Sequence, residues 1–373
     1  MSSEIGFSNE EAAVMGLSRL YRQFGFRHFK MSKFEEYDLY RQNKDFLLGS
    51  SVITFTDMNG KLMALKPDVT LSIVKGAPDF SEELEKVYYS ENVYRVDKGT
   101  HRFKEIMQLG LECIGSLDTY SLSEVIMLAK KSLNAVSERN ILDISHMGMI
   151  LGLLEGQNIS DKNIDKLIEC IRAKNIPAVD SRCKEFGLTE ESAKGFRALT
   201  SLYGSFSRCI AELKEVSINA ATDAAIEELE NIYSFLKGCG CESGVNIDFS
   251  IVNDINYYNG VIFNGFIDGV PNAVLSGGRY DNLLRKLGKR SGAIGFAVYL
   301  DQLSRHLRSS AEYDVDAVLL YGEDTAPAAI AKAVTKLTEN GKSVSVQRNR
   351  GSVKCRTLLR INGTEVEEVE AND

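Results

Sequence analysis

The chain has 373 residues, 44% hydrophobic and 26% charged, with a net charge of −8 at neutral pH. That length supports two or three domains around a large core, and the composition is ordinary for a globular protein. The acidic balance argues against a dedicated nucleic-acid binder, which carries a basic excess or a basic face, so tRNA is not an expected partner. No run of about 18 apolar residues predicts a membrane span. Met1-Ser2-Ser3-Glu4 lacks the basic-then-apolar pattern of a secretion signal, and seven scattered cysteines fit reduced thiols, so a cytoplasmic location is expected.

From the N-terminus, residues 9–24 read as an amphipathic helix: Val14, Leu17, Leu20 and Tyr21 recur at helical spacing behind acidic Glu10 and Glu11. Residues 50–66 alternate, and Asn59-Gly60 predicts a hairpin between 52–55 and 62–65. Further strands are expected at 86–95, 103–115, 247–253, 259–267 and, after a glycine-containing turn, 272–276. Between 121 and 238 the periodicity turns helical, with helices over 121–137, 161–173, 188–199, 200–216 and 220–238 and few strand signals. Part of this stretch is expected to be a helical insertion. From Asp314 the pattern is strand (317–321), helix (326–340), strand (343–347), then strand (357–361), and the acidic end from Glu365 reads as frayed. The fold class is therefore α+β, an antiparallel sheet with helices. Domain 1–312 holds the insertion within about 121–238, and 313–373 forms a small C-terminal α/β unit. Cys239-Gly240-Cys241 is poor zinc spacing and reads as structural.

Four segments carry chemistry. Leu65-Lys66-Pro67-Asp68-Val69-Thr70 precedes a helix. Val93-Tyr94-Arg95-Val96-Asp97 is followed by a strand over Arg102–Glu112. Asn253–Phe263 contains the pair Tyr257-Tyr258. Ser276-Gly277-Gly278-Arg279-Tyr280-Asp281 precedes Gly295–Leu303. In turn they resemble the element that holds the substrate's amino group, the second motif, the tyrosine loop, and the glycine turn with the third motif of the histidyl-tRNA synthetases, in the class II aminoacyl-tRNA synthetase fold.

That resemblance implies a pocket for free histidine. Its ammonium needs acceptors, which Asp68, Thr70 and Gln108 can supply. Its carboxylate needs a cation, for which Arg102 is the candidate. Its imidazole needs a donor and an acceptor, matching Tyr258, beside Tyr257, and the carboxylate of Glu112. Gln108, Gly110 and Glu112 alternate along one strand and so share a face. From residue types alone, Asp68 reads instead as a helix cap, Gln108 and Glu112 as a polar sheet face, and the tyrosines as core.

The departures are as informative. Asn253 stands where the synthetase loop carries its working arginine. Gln302 stands where the third motif ends in an arginine against ATP, and Tyr299 replaces the small glycine that leaves room for adenine. Loss of such a guanidinium typically costs on the order of 10² to 10³ in rate. Arg95 and Asp97 remain, as relics of ATP binding. The chain thus most resembles the ATP phosphoribosyltransferase regulatory subunits, an impression joined by Ile144-Ser145-His146-Met147-Gly148, where His146 otherwise reads as a helix-start residue. The resemblance implies a non-catalytic regulatory role in histidine biosynthesis, histidine binding, a short-form catalytic partner and a homodimer, with no cofactor and no metal. Gly25–Lys30 sits where the class II dimer strand belongs. The alternative is a histidyl-tRNA synthetase, or a paralogue activating another amino acid.

Overall fold

The computed structural model describes residues 9–43, 52–78, 83–96, 100, 102–252, 257–307 and 313–371. Asn253, and with it the first four residues of the tyrosine loop, lies outside them, as does Asp97. The chain divides into two compact units, Gly16–Leu303 and the C-terminal Ser304–Asp373 together with Met1–Met15.

The chain begins with α1 (Asn9–Gln23), and the larger unit continues with β1 (Arg27–His28), β2 (Phe34–Glu36), α2 (Tyr37–Gln42), β3 (Thr54–Thr56), β4 (Leu62–Leu65) and α3 (Thr70–Gly76). The long antiparallel pair β5 (Glu85–Val96) and β6 (Phe103–Gly115) follows, then α4 (Thr119–Val136), β7 (Asn140–His146) and α5 (Met147–Leu154). Next come α6 (Asp161–Arg172), α7 (Ile176–Phe186), α8 (Glu190–Ser201), β8 (Tyr203–Ser205), α9 (Phe206–Lys214) and α10 (Ala220–Gly238). The unit closes with β9 (Val245–Asp248), β10 (Val261–Ile267), β11 (Leu275–Arg279), α11 (Asp281–Lys286), β12 (Gly292–Tyr299) and the start of α12 (Leu300–Leu307).

Its main sheet among the described residues has nine strands in the order β1-β5-β6-β12-β11-β10-β7-β9-β8. Only the β1–β5 and β7–β9 pairs are parallel. Helix α4 starts at an Asp118–Ser121 capping box and buries Leu122, Val125, Ile126, Ala129 and Leu133 against the sheet. The approach is close: a Cβ on Gly265 of β10 would lie 2.7 Å from Leu133 Cδ2. A separate three-stranded sheet, β2-β4-β3, contains the predicted Asn59-Gly60 hairpin, with Gly60 at φ +80°. No described helix is long and apolar enough to cross a membrane.

Several expectations need correction. The stretch 121–238 is not purely helical. It contains β7, a sheet strand between β10 and β9, and β8; helices α5 and α7 also lie within it. β7 escapes notice because five of its seven residues are buried and it runs directly into apolar α5, so no alternation marks it. The predicted helix over 200–216 is broken by β8, where Gly204 takes φ +130°. The strand expected over 247–253 is shorter and earlier. It ends at Asp248, whose carboxylate accepts from Ser250 N–H and caps a single 3-10 turn, Phe249–Ile251. The strand expected at 272–276 forms at 275–279, in register with β10 and β12.

The C-terminal unit contains β13 (Val315–Tyr321), α13 (Pro327–Glu339), β14 (Val344–Gln347), β15 (Cys355–Asn362) and β16 (Glu365–Ala371), in the order β14-β13-β15-β16. Glu365–Ala371 is therefore a strand and not a frayed end. Gly363, at φ +64°, turns the chain back, and β16 pairs antiparallel with β15, fastened by Arg350 to Glu370 at 2.6 Å.

Candidate functional site

Strand pairing places the chemistry. Gln108, Gly110 and Glu112 of β6 stand opposite Tyr299, Ala297 and Gly295 of β12, so alternate residues of two neighbouring strands line one face. Tyr89 of β5 pairs with Gly110, and Ser276 of β11 with Ala297. Over them lie the start of α3 and the tyrosine pair. Together they enclose a cavity of about 60 Å³ lined by Asp68, Thr70, Arg95, Gln108, Glu112, Tyr257, Tyr258, Tyr280 and Tyr299, among others.

Six of the seven residues singled out from the sequence meet here: Asp68, Thr70, Gln108, Glu112, Tyr257 and Tyr258. Arg102 does not. It is exposed at the foot of β6 and is not among the lining residues. The cation that does line the cavity is Arg95, expected only as a relic. It lies on β5, and its Nε donates to the Pro67 carbonyl at 2.9 Å. A guanidinium has five N–H donors, and this bond uses one of them.

Glu112 is the electrostatic centre. It is 2% exposed, accepts from Thr70 Oγ1 at 2.7 Å and accepts a hydrogen bond from the Tyr280 hydroxyl. Burial pushes its carboxyl up to about 8, against the opposing pull of the Tyr280 and Thr70 hydrogen bonds. It is therefore largely protonated at neutral pH and can donate as well as accept. Burial likewise raises the hydroxyls of Tyr257, Tyr258 and Tyr280, which stay neutral. Tyr280, like Arg95, is a site residue that the sequence reading missed. Only its place in Gly-Gly-Arg-Tyr-Asp could have drawn attention to it, because its partner lies 168 residues away.

Asp68 has both roles foreseen for it. Its Oδ1 accepts from Leu71 N–H at 2.8 Å in the first turn of α3, and it lines the cavity. Burial raises its carboxyl, while the Leu71 amide and Arg95 pull it down. Gln302 sits on α12, its Oε1 accepting from Asn272 Nδ2 at 3.4 Å. A larger cavity of about 740 Å³ lies at the carboxyl ends of β13 and β15. Its charges oppose one another, with Arg348 3.7 Å from Glu323, and it contains no predicted residue.

Residues 6–303 match the histidyl-tRNA synthetase family profile. The ATP phosphoribosyltransferase regulatory subunit of Caldanaerobacter subterraneus subsp. tengcongensis is 31% identical over 292 residues, covering 76% of this chain and 75% of that protein. The structure of an ATP phosphoribosyltransferase regulatory subunit/histidyl-tRNA synthetase from Bacillus halodurans superposes with a TM-score of 0.76 at 25% identity, covering 91% of this chain and 88% of the other. A chain of the ATP phosphoribosyl transferase complex from Thermotoga maritima shares the fold, with a TM-score of 0.60, 21% identity and coverage of 77% and 96%. By family profile, sequence identity and fold, the chain belongs to the histidyl-tRNA-synthetase-like ATP phosphoribosyltransferase regulatory subunits.

Proposed function

We propose that the cavity is a histidine sensor and that the chain confers histidine feedback on a short-form catalytic ATP phosphoribosyltransferase, at the first step of histidine biosynthesis in the cytoplasm. One observation carries the reading. Groups suited to each end of an amino acid line a single cavity: Asp68, Thr70 and Gln108 for the ammonium, Arg95 for the carboxylate, Glu112 and Tyr258 for the imidazole. At about 60 Å³ the cavity is far below the roughly 300 Å³ at which small-molecule pockets begin, so histidine binding includes an opening of the site. Two residues argue against activation of the amino acid. Tyr299 takes part of the cavity wall where a synthetase leaves space for adenine, and Gln302 replaces a guanidinium.

The catalytic subunit is the natural partner because the relatives are by name its regulatory subunits. A homodimer through the larger unit fits the exposed apolar side chains of its three-stranded sheet, Phe34, Phe55 and Leu62, with Phe34 half exposed.

Calorimetry with L-histidine and with ATP, followed by inhibition assays on the assembled complex, tests this. Histidine binds and ATP does not, and the complex acquires histidine inhibition with a coupling of about 1–3 kcal/mol. Asp68→Asn keeps an oxygen to cap α3 and removes the charge, so it relieves inhibition while the complex still forms. Histidine-dependent ATP–pyrophosphate exchange at synthetase rates would overturn the reading.

A further inference from the structure

Behind the cavity, a chain of polar contacts runs from the tyrosine pair to the helical layer. Asn259 directly follows Tyr257-Tyr258. Its Oδ1 accepts from Asp281 N–H at 2.8 Å, its Nδ2 donates to Asp281 Oδ2 at 3.0 Å, and its N–H donates to the Arg279 carbonyl at 3.1 Å. Asp281 in turn accepts from Arg279 Nε at 2.9 Å and from Ala293 N–H at 3.0 Å. The Arg279 side chain crosses the backbone of the next loop residue so closely that a Cβ on Gly260 would lie 2.8 Å from its Cδ. Beyond that crossing, Arg279 Nη1 lies 3.6 Å from Glu228 Oε2 on α10. The other oxygen of Glu228 is 3.0 Å from His146 Nε2. His146 ends β7, pairs with Val261, and through Nδ1 accepts from Gly148 N–H at the start of α5.

We propose that Glu228 is a positioning residue for the cavity. Its carboxylate meets His146 and Arg279, neither of which lines the cavity, and it holds Arg279 across Gly260 and so fixes the segment that presents Tyr257 and Tyr258. The same strand packs directly against the tyrosine pair, where a Cβ on Gly278 would lie 2.7 Å from Tyr258 Cδ1. The carboxylate is divided between Arg279 and His146, so a displacement of α10 or of the α5 N-terminus changes the hold on the tyrosine segment. The helical layer thereby acquires a means of setting ligand affinity. A side chain acting through others in this way typically moves coupling between sites by about 2- to 30-fold in binding.

The inference rests on the reading of the cavity as a histidine site, and its test has an arm that does not. In the full-length protein, Glu228→Gln keeps the shape and an oxygen for His146 but loses the charge that holds Arg279. Amide hydrogen exchange in residues 257–262 rises, while exchange in α10 and the melting temperature stay at wild-type values. L-Histidine affinity falls by about 2- to 30-fold. Glu230→Gln, an α10 carboxylate paired with Lys214 at 2.6 Å, changes neither quantity. Unchanged exchange in 257–262, or a rise spread equally over α10, overturns the positioning role. If the wild-type protein fails to bind histidine, the site reading falls, and the exchange pattern still decides the role of Glu228.

Discussion

The carboxylate of Glu112 occupies the space that a side chain at Gly295 would need. The two residues face each other across the β6–β12 pair, and a Cβ on Gly295 would overlap Glu112 Oε2. Glu112 cannot withdraw without giving up Thr70 or Tyr280. A glycine in β12 is thus a requirement of the cavity, in a strand where glycine otherwise weakens pairing.

Gly295→Ala therefore destabilises the fold by about 1–3 kcal/mol, through overpacking against a side chain fixed at both oxygens. Urea unfolding measures this as a lower midpoint with an unchanged slope. A midpoint equal to that of the wild type would mean that Glu112 moves aside freely.

Arg95 and Arg102 differ in place, and binding should separate them. Arg95→Met removes the cation that lines the cavity, and a hydrogen bond to a charged group is worth about 1.5–3 kcal/mol, so L-histidine binds about 10- to 150-fold more weakly. Arg102→Met, at an exposed position, leaves affinity unchanged. Histamine lacks the carboxylate and binds wild type and Arg95→Met equally. Calorimetry with both ligands checks all three statements, and a large loss in Arg102→Met would restore the assignment made from the sequence.

Glu112 sets a pH dependence whose sign follows from its raised carboxyl. The unfolded chain loses this proton near pH 4.3, whereas the folded chain keeps it to about 8. Below pH 4.3 both states are protonated and there is no penalty. Between there and about 8 the fold binds the extra proton, so this group's contribution to stability falls as pH rises, by at most about 1.4 kcal/mol per pH unit. Glu112→Gln removes that slope. Measured from pH 5 to 8, the variant gains stability relative to wild type as pH increases; a constant difference would show that Glu112 is ionised in the fold.

Lys289 fastens the helix that begins at the cavity. Its ammonium donates to the carbonyls of Val74 at 2.6 Å, Lys75 at 2.9 Å and Ala77, which are the last acceptors of α3. Lys289→Met leaves them without it and costs about 1.5–3 kcal/mol in thermal or urea unfolding. Because α3 opens with Thr70, the Glu112 partner, the variant also weakens L-histidine binding.

Local rules write a large part of this protein. The Asn59-Gly60 hairpin, the long strands β5 and β6, the α+β class and the common face of Gln108, Gly110 and Glu112 all follow from turn chemistry and period-two spacing. The motif order likewise pointed to the synthetase-like family. Long-range packing set which side chains share the cavity. It brought in Arg95 rather than Arg102, supplied Tyr280 to Glu112 across 168 residues, and gave Asp68 a cap and a cavity position at once. It also placed β7 in the sheet from within a mainly helical stretch. These outcomes depend on register between strands distant in the chain, where one residue of slip reverses every face, and local periodicity carries no record of that register.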